Sequence, residues 1–333
     1  MKAIEEYISH IELADPVVYQ NLAMFPLVSG ENRQPDYLTL DEALAQRSVS
    51  VTEVSAGGSV PELKFVNRGA MPVLLLDGEE LIGAKQNRIL NLTILAPAAK
   101  TIVIPVSCVE AGRWSQQTME FAAAPRAHFA EGRRNKMMRV TESLIGSGTR
   151  GSDQGEVWED VAAKARRMET RSPTGAMSEI FEKHTGTLEG YAAALQPVDR
   201  QVGALFAING VANGFDLFDC QPTLAKLLPK IVLSYALDAL DAHQETTGAE
   251  RADAEALLKA AAAAETSTFP AVGLGEDVRL TGGGFAGGGL IWSGRVTHLG
   301  GFKLTGSAQN PLSQAGMTRA SSRRQRRFER VGG

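Results

Sequence analysis

The sequence contains little cysteine and no long apolar run, and each shortage excludes a class of protein. Its two cysteines, Cys108 and Cys220, lie far apart, and no CxxC pair or His/Cys spacing typical of structural zinc occurs. We therefore predict a reduced, cytoplasmic protein with no disulfide framework and no metal site. No apolar stretch approaches the ~20 residues that span a bilayer, and the acidic N-terminal segment has no apolar centre like that of a signal peptide, so we expect no membrane partner.

Familiar catalytic signatures are also missing. The chain contains neither GxSxG nor HExxH, and the glycine-dense segment 282–290 lacks the Lys-Ser/Thr of a phosphate-binding P-loop. Turns and strand irregularities explain such glycines more simply than a phosphate cradle does. The motifs therefore assign neither a reaction type nor a cofactor.

Strong charge of one sign is confined to the C-terminal end. The net charge is −4, which gives no overall bias towards nucleic acid or an anionic membrane. Residues 317–333, however, carry six arginines against a single acid, Glu329. We predict a flexible basic tail over residues 307–333, and we expect no contact with nucleic acid except through its residues 317–333, which could also bind an acidic protein face.

The spacing of apolar residues changes along the chain and predicts two parts. Between residues 49 and 109, short apolar runs alternate with turn signals such as Asp77-Gly78, which is typical of antiparallel strands joined by tight turns. A short helix over residues 36–46, capped by Thr39 or Asp41, precedes them. We predict an α+β protein with an antiparallel, β-sandwich-like domain over residues 1–115 and a helical and β-hairpin domain over residues 116–306.

The second part combines helices with hairpins. Helical spacing covers residues 157–168, 176–195, 222–242 and 252–265. Ser172-Pro173 is a helix start signal, and Pro229 is expected to kink or restart the third of these helices. Asn209-Gly210 and Ser293-Gly294 are predicted to turn two hairpins. Because the strands of these hairpins could join the first sheet, one larger domain is the alternative to two.

Segment 77–114 places polar side chains on a core-facing strand surface. Side chains alternate faces along a strand, so Arg88 and Cys108 both extend apolar rows. If the two strands pair as a hairpin, Arg88 lies opposite Cys108 and Gln86 opposite Glu110, whereas a slip of two residues puts Arg88 opposite Glu110. An unpaired buried charge is costly, so the cluster is a structural lock, a ligand pocket or a catalytic site.

The same region resembles a bacterial family named for its association with ADP-ribosylglycohydrolase and rhodanese–phosphatase genes. The resemblance lies in the runs LLLDGEELIGAKQNRILN and IPVSCVEAGRW, with weaker support from INGVANGFDLFD, LLPKIVLSYALDAL and VTHLGGF. It covers roughly residues 20–305 and implies a link to NAD or ADP-ribose metabolism, without a mechanism. By motif, it implies these positions of interest: Glu79, Glu80, Lys85, Gln86, Asn87, Arg88, Cys108, Glu110, Arg113, Trp114 and His298.

Three functional hypotheses remain open. The first is a binding module or sensor that holds a small anionic ligand, such as ADP-ribose or a nucleotide, over Lys85, Arg88 and Arg113. The second is an enzyme acting on an ADP-ribosyl or nucleotide substrate, with Glu80 or Glu110 as general acid/base. The third is a structural or interaction protein with a protein partner. The other predicted ligand-binding residues are Glu79, Gln86, Asn87, Cys108, Trp114 and His298.

Overall fold

The computed structural model describes residues 2–31, 33–244 and 249–304, so the predicted basic tail over residues 307–333 lies outside the described residues. The helices are α1 Lys2–Ser9, α2 Leu40–Ala45, α3 Ala130–Ser147, α4 Gln154–Arg167, α5 Ser178–Lys183, α6 Thr185–Ala194, α7 Gln221–Asp241 and α8 Arg251–Ala263. The strands are β1 Glu12–Leu13, β2 Val17–Tyr19, β3 Leu22–Val28, β4 Leu38–Thr39, β5 Val49–Glu53, β6 Glu62–Asn67, β7 Val73–Leu75, β8 Glu79–Gly83, β9 Arg88–Leu90, β10 Ile94–Ala96, β11 Thr101–Cys108, β12 Phe121–Ala127, β13 Gln201–Ile208, β14 Val211–Phe218, β15 Glu265–Pro270, β16 Glu276–Gly282, β17 Phe285–Trp292 and β18 Arg295–Lys303.

Helices and mostly antiparallel strands are mixed, with a sheet-rich N-terminal region, which confirms the α+β class. A three-stranded sheet in the order β10-β7-β4 and a six-stranded sheet in the order β12-β8-β9-β11-β6-β5 share one apolar core. Val73 and Leu75 of the smaller sheet pack there with Phe65 and Leu90 of the larger one. We call these two sheets the small sandwich. One of its strand pairs, β4 with β7, is parallel rather than antiparallel.

A nine-stranded antiparallel sheet forms the rest of the β structure. Its order is β1-β3-β13-β14-β18-β17-β16-β15, with β2 beside β3. The C-terminal hairpins therefore extend a sheet that begins with residues 12–28, and they do not join the small sandwich. Phe25 and Leu205 pack with α1 and α8 on one face, while Met24 and Phe206 pack with α7 on the other. A division of the chain at residue 115 stays a prediction.

Turn chemistry predicted two hairpins correctly and one wrongly. Asn209-Gly210 joins β13 to β14, and Ser293-Gly294 joins β17 to β18, with φ values of 51° and 81° and of 52° and 76°. Asp77-Gly78 does not turn a hairpin, because β7 and β8 belong to different sheets. The positive φ of Gly78, 82°, instead turns the chain from one sheet of the small sandwich to the other.

Most predicted helices are present, with three corrections. Thr39 caps α2 in a capping box with Glu42, as the sequence indicated. Pro229 neither restarts nor ends α7, which continues from Gln221 to Asp241. The predicted helix over residues 176–195 is divided at His184, and Ser172-Pro173 does not begin it, because α5 starts at Ser178.

Helix α3 has no counterpart among the predictions. Its buried face includes Arg133 and Lys136 beside Met137 and Val140. These charged residues interrupt the apolar period from which a helix is recognised in a sequence. The missed helix supplies two of the most deeply buried cations in the protein.

The glycine-dense segment 282–290 forms the turn and strand of the β16–β17 hairpin, not a phosphate loop. Gly287, Gly288 and Gly289 lie inside β17 and pair with residues of β16 and β18. On the neighbouring strand, a Cβ at Gly301 would lie 2.3 Å from the ring of Phe285. Within the segment, a Cβ at Gly287 would lie 2.9 Å from the same ring, so Gly287 and Gly301 both make room for Phe285.

We expect Gly301→Ala to lower the free energy of unfolding by about 1–3 kcal/mol, because the added methyl group overlaps the buried Phe285 ring. Gly300→Ala is the matched control, since its Cβ would meet neighbouring atoms only at ordinary contact distances of 3.4–3.6 Å. Urea denaturation of both variants measures the effect. Equal stability of the two would contradict the packing argument.

Candidate functional site

The predicted strand register is observed at the centre of the polar cluster. Strand β11 pairs with β9 so that Cys108 lies opposite Arg88 and Val106 opposite Leu90. The first half of β11 pairs with β6 instead of continuing along β9. Arg88 and Cys108 therefore project on the same side of the six-stranded sheet as Leu90 and Val106.

Glu110 is held by Arg113 and not by Arg88. Its Oε1 accepts hydrogen bonds from Arg113 Nε and Thr174 Oγ1, both at 2.8 Å. Its Oε2 accepts from the Asn87 backbone N–H at 3.1 Å and lies 2.7 Å from Arg113 Nη2. Burial alone would raise the pKa of Glu110, but these hydrogen bonds, led by that of Arg113, lower it below its ordinary value. Both carboxylate oxygens are therefore engaged inside the protein.

Arg113 also closes the turn that leads into β9. Its Nη1 donates to the carbonyl oxygens of Ala84 and Ser115 at 2.8 and 3.1 Å. Its Nη2 donates to Asn87 Oδ1 at 3.1 Å, and that oxygen also accepts the Gly83 N–H at 3.2 Å. Asn87 and Arg113 thus support the backbone from which the side chain of Arg88 projects.

Arg88 differs from Arg113, because much of its hydrogen-bonding capacity is unused. The side chain is 0% exposed, and Nη1 donates to Gln86 Oε1 at 3.0 Å. Its Nε and Nη2 have no hydrogen-bond partner in the described part of the chain. Burial lowers the pKa of Arg88, and electrostatic attraction to Cys108 and Glu53 offsets this only in part. The guanidinium nevertheless stays charged, because an arginine does not deprotonate in proteins.

Trp114, Lys85 and the loop between β5 and β6 cover Arg88. The Trp114 ring centroid lies 5.5 Å from Arg88 Cζ and 5.4 Å from Lys85 Nζ, and the residue is 46% exposed. Lys85 Nζ donates to the Gly57 carbonyl at 2.9 Å. Gly58, with φ of 77°, packs against Trp114 so closely that a Cβ would lie 3.2 Å from Cζ2 of the ring. We call this group the Trp114 cover.

Cys108 is a weak candidate for a nucleophile. Its Sγ donates to Gln86 Oε1 at 3.0 Å and lies 3.4 Å from the Glu110 carbonyl oxygen. Burial raises the pKa of the thiol, and the hydrogen bond at Glu110 and the charge of Arg88 offset the rise only in part. The thiolate is the reactive form of cysteine, so this geometry does not activate Cys108.

Glu79 and Glu80 do not lie beside Arg88. Glu80 is opposite Ile89, so its side chain is on the other face of the sheet, where Oε2 accepts from Arg126 Nε at 2.5 Å. Burial raises the pKa of Glu80 despite that partner. Glu79 accepts from the Leu76 N–H and from Lys230 Nζ, each at 2.8 Å, which ties the corner of the small sandwich to α7.

His298 belongs to a second polar cluster, which the sequence analysis missed. We call it the junction network, and its members are Asp77, Thr93, Arg133, Lys136, Asp216 and His298. Arg133 makes a bidentate pair with Asp216 at 2.6 and 3.0 Å, and Lys136 pairs with Asp77. His298 Nε2 lies 3.2 Å from Asp216 Oδ1, and Nδ1 lies 2.8 Å from Thr93 Oγ1. The network joins α3, β14 and β18 to the small sandwich.

The charges of the junction network balance. Arg133 and Lys136 face Asp77 and Asp216, and the four side chains are almost completely buried. Burial would raise the pKa of Asp216, but the charge of Arg133 outweighs it and lowers that pKa. The sequence does not predict this network, because a long-range ion pair leaves no local signal. Within the described ranges, no group of three His, Cys, Asp or Glu side chains is arranged to hold a metal ion.

Glu110→Gln is expected to lower the free energy of unfolding at neutral pH by about 1–3 kcal/mol, because Arg113 and the Asn87 N–H lose a charged acceptor. The pKa of Glu110 is lowered in the folded state, so this contribution is present above the ordinary value of 4.5 and is lost as pH falls through the folded value. Denaturation at several pH values should show the difference from wild type shrinking in acid. The exposed Glu62, changed to Gln, is the control, and a pH-independent difference would contradict the prediction.

Lys136 should make the free energy of unfolding depend on pH in alkaline solution. Burial lowers its pKa from 10.5 to about 8, although Asp77 opposes the shift. The unfolded chain then binds more protons between those values, so the free energy of unfolding should rise with pH by up to about 1.4 kcal/mol per pH unit from this group. Lys136→Met should lack that rise, whereas Lys259→Met, at an exposed position, should keep it. If the free energy of unfolding depends on pH in the same way for wild type and for Lys136→Met, the lowered pKa of Lys136 is excluded.

Three findings concern relation to other proteins and to membranes. None of the helices in the described residues combines the length and the apolarity that a membrane crossing requires. No curated protein and no solved structure matches the chain. One family model matches residues 10–302, that of the ARPP-1 domain, the ARG and Rhodanese-Phosphatase-superfamily-associated Protein domain. Because this match includes both polar clusters and most of the chain, the protein belongs to the ARPP-1 family.

Proposed function

We propose that the protein is a binding module for a small anionic ligand, held by Arg88 beneath the Trp114 cover. The observation that carries this proposal is the unused edge of a guanidinium that is 0% exposed. Burying a cation costs several kcal/mol unless it is paired, and Gln86 satisfies only Nη1 of Arg88. An oxyanion supplies both the charge and the acceptors that such an edge lacks.

The surroundings of Arg88 favour an anion over other ligands. Arg113 is neutralised by Glu110, and one carboxylate, Glu53, faces the two cations Arg88 and Lys85, so one positive charge remains in excess around the site. Lys85 adds a second positive charge beside the Trp114 ring. Cations of this kind attract and orient phosphate and carboxylate groups.

The Trp114 cover favours a ligand that carries a planar ring in addition to its anionic group. The indole is half-exposed, and planar bases stack on such rings with ~1–3 kcal/mol per base. A nucleotide or ADP-ribose combines a base with phosphate groups. The description of the ARPP-1 family refers to association with ARG proteins, which makes ADP-ribose a natural first ligand to test.

A catalytic role has less support from the geometry. Glu110 has both oxygens engaged by Arg113, Thr174 and the Asn87 N–H. Glu80 is on the opposite face of the sheet from Arg88. Neither carboxylate is arranged to exchange a proton with a ligand at Arg88, so we favour binding over turnover.

We expect at least one of ADP-ribose, NAD, AMP, ATP and inorganic phosphate to raise the melting temperature of the full-length protein. A ligand at 100 times its Kd stabilises by about 2.7 kcal/mol. Arg88→Met should abolish the shift, and Arg88→Lys should weaken it, because an ammonium lacks the two parallel N–H donors. Arg171→Met, at an exposed position, should behave as wild type.

The stability of Arg88→Met without ligand distinguishes a ligand-binding role of Arg88 from a structural one. If Arg88 serves a ligand, Arg88→Met should be as stable as wild type or more stable without ligand, since it removes an unpaired buried charge. A flat ligand panel, together with a destabilised Arg88→Met, would show that Arg88 is a structural residue and would contradict the proposal.

A further inference from the structure

We infer that the Arg88 site binds a hydrogen-phosphate group, either inorganic phosphate or the terminal phosphate of a monoester, and recognises its proton through Glu53. This inference rests on the proposed function and narrows the ligand from any small anion to one that both accepts and donates hydrogen bonds. Its basis is the hydrogen-bonding capacity left unused beneath the Trp114 cover.

Arg88 sets the first requirement on the ligand, which must present a pair of hydrogen-bond acceptors. Its Nη1 is occupied by Gln86, whereas Nε and Nη2 have no partner among the described residues. These two nitrogens are bonded to the same carbon and form one edge of the planar guanidinium, with parallel N–H bonds. Two oxygens of one phosphate, sulfate or carboxylate group match that edge.

Glu53 sets the second requirement on the ligand, which must also carry a hydrogen-bond donor. The residue ends β5, and its Oε1 accepts the Lys85 backbone N–H at 3.4 Å. Its Oε2 is buried and has no hydrogen-bond partner within the described ranges. A carboxylate only accepts hydrogen bonds, so the group missing at Oε2 carries a proton.

Arg88 and Glu53 both adjoin Trp114. Glu53 Oε2 and Trp114 Cζ2 each lie 3.2 Å from the position that a Cβ at Gly58 would occupy. The ring of Trp114 lies over Arg88, and Glu53 and Arg88 attract each other electrostatically. An occupant beneath Trp114 therefore meets two donors from Arg88 and one acceptor from Glu53.

Among common oxyanions, hydrogen phosphate fulfils both requirements. It presents unprotonated oxygens to Arg88 and a hydroxyl group to Glu53. Sulfate, a carboxylate and a phosphodiester carry no proton at neutral pH, so each would bring an unprotonated oxygen against the Glu53 carboxylate. Leaving a buried acceptor unpaired costs about 1–3 kcal/mol, which predicts a preference for phosphate over sulfate of about 5- to 150-fold.

Isothermal titration calorimetry of the full-length protein at pH 7 tests this preference, with sodium phosphate and sodium sulfate compared at equal ionic strength. Wild type should bind phosphate at least about fivefold more tightly than sulfate. Glu53→Gln should bring the ratio of the two dissociation constants close to one, because an amide both donates and accepts. Arg88→Met should remove binding of both anions. The exposed Glu62, changed to Gln, is the matched control and should keep the wild-type ratio.

The outcomes separate this inference from the proposed function. Equal affinity for phosphate and sulfate in wild type, lost in Arg88→Met, would overturn recognition of the proton while leaving an anion site at Arg88. A phosphate preference that is unchanged in Glu53→Gln would also overturn it. If wild type binds neither anion nor any nucleotide of the panel, both the inference and the proposed function fail. Melting curves without ligand establish that each variant is folded.

A second titration distinguishes the two sources of the phosphate group. If the site takes a monoester, AMP should bind more tightly than inorganic phosphate at pH 6, where about half of the monoester carries the required proton, and its affinity should fall as pH rises to 8. Trp114→Ala should then weaken AMP binding while leaving phosphate binding nearly unchanged. If it takes inorganic phosphate, AMP should bind no more tightly than phosphate. Both results support the hydrogen-phosphate assignment, whereas binding of ADP-ribose, which has no terminal phosphate, in preference to both would contradict it.

Discussion

The buried ion pair between Arg133 and Asp216 is the interaction on which the rest of the structure depends. Both side chains are 0% exposed, and their bidentate contact joins α3 to the nine-stranded sheet. Removing one member of such a pair costs about 3–5 kcal/mol, because the other is left charged and buried. Beside it, Lys136 binds Asp77 at the corner between β7 and β8. Strand β8 begins at this corner and leads into the turn that carries Arg88. The junction network therefore fixes the position of the strand from which the candidate site is built.

The two polar clusters differ in how their charges are satisfied. In the junction network, two cations face two carboxylates, and His298 bridges Asp216 to Thr93. Asp77 Oδ2 and Arg133 Nε of this network lack a hydrogen-bond partner among the described residues, but they lie 3.9 Å apart and carry opposite charges. The charges of the junction network are therefore compensated within the protein. At Arg88, by contrast, unused donors outnumber unused acceptors. That imbalance is the reason why we propose a ligand at Arg88 and not at the junction network.

Residues that lie next to each other in the motif GAKQNR serve different purposes in three dimensions. Asn87 supports a turn, Arg88 offers a free edge, and Gln86 connects Arg88 to the thiol of Cys108 through a shared carbonyl oxygen. Lys85 contributes to the cover above them. In the ligand site that we propose, hydrogen bonds support the floor, and one ring and one loop form the roof. The same hydrogen bonds limit how far Arg88 moves, which would reduce the entropic cost of binding a ligand.

The sequence by itself determined the features that depend on neighbours along the chain. It predicted the α+β class, the capping of α2, the turns at Asn209-Gly210 and Ser293-Gly294, and the register that sets Arg88 opposite Cys108, because φ preferences and strand parity are local. It led to the wrong role for Asp77-Gly78, which looks the same in a hairpin and in a corner. Only the tertiary structure decided that Glu110 pairs with Arg113, that Glu80 faces away, and that Arg88 keeps a free edge. Those outcomes depend on which charges meet across long separations in the chain, and the energy of a buried charge is set by its partners in space rather than in sequence.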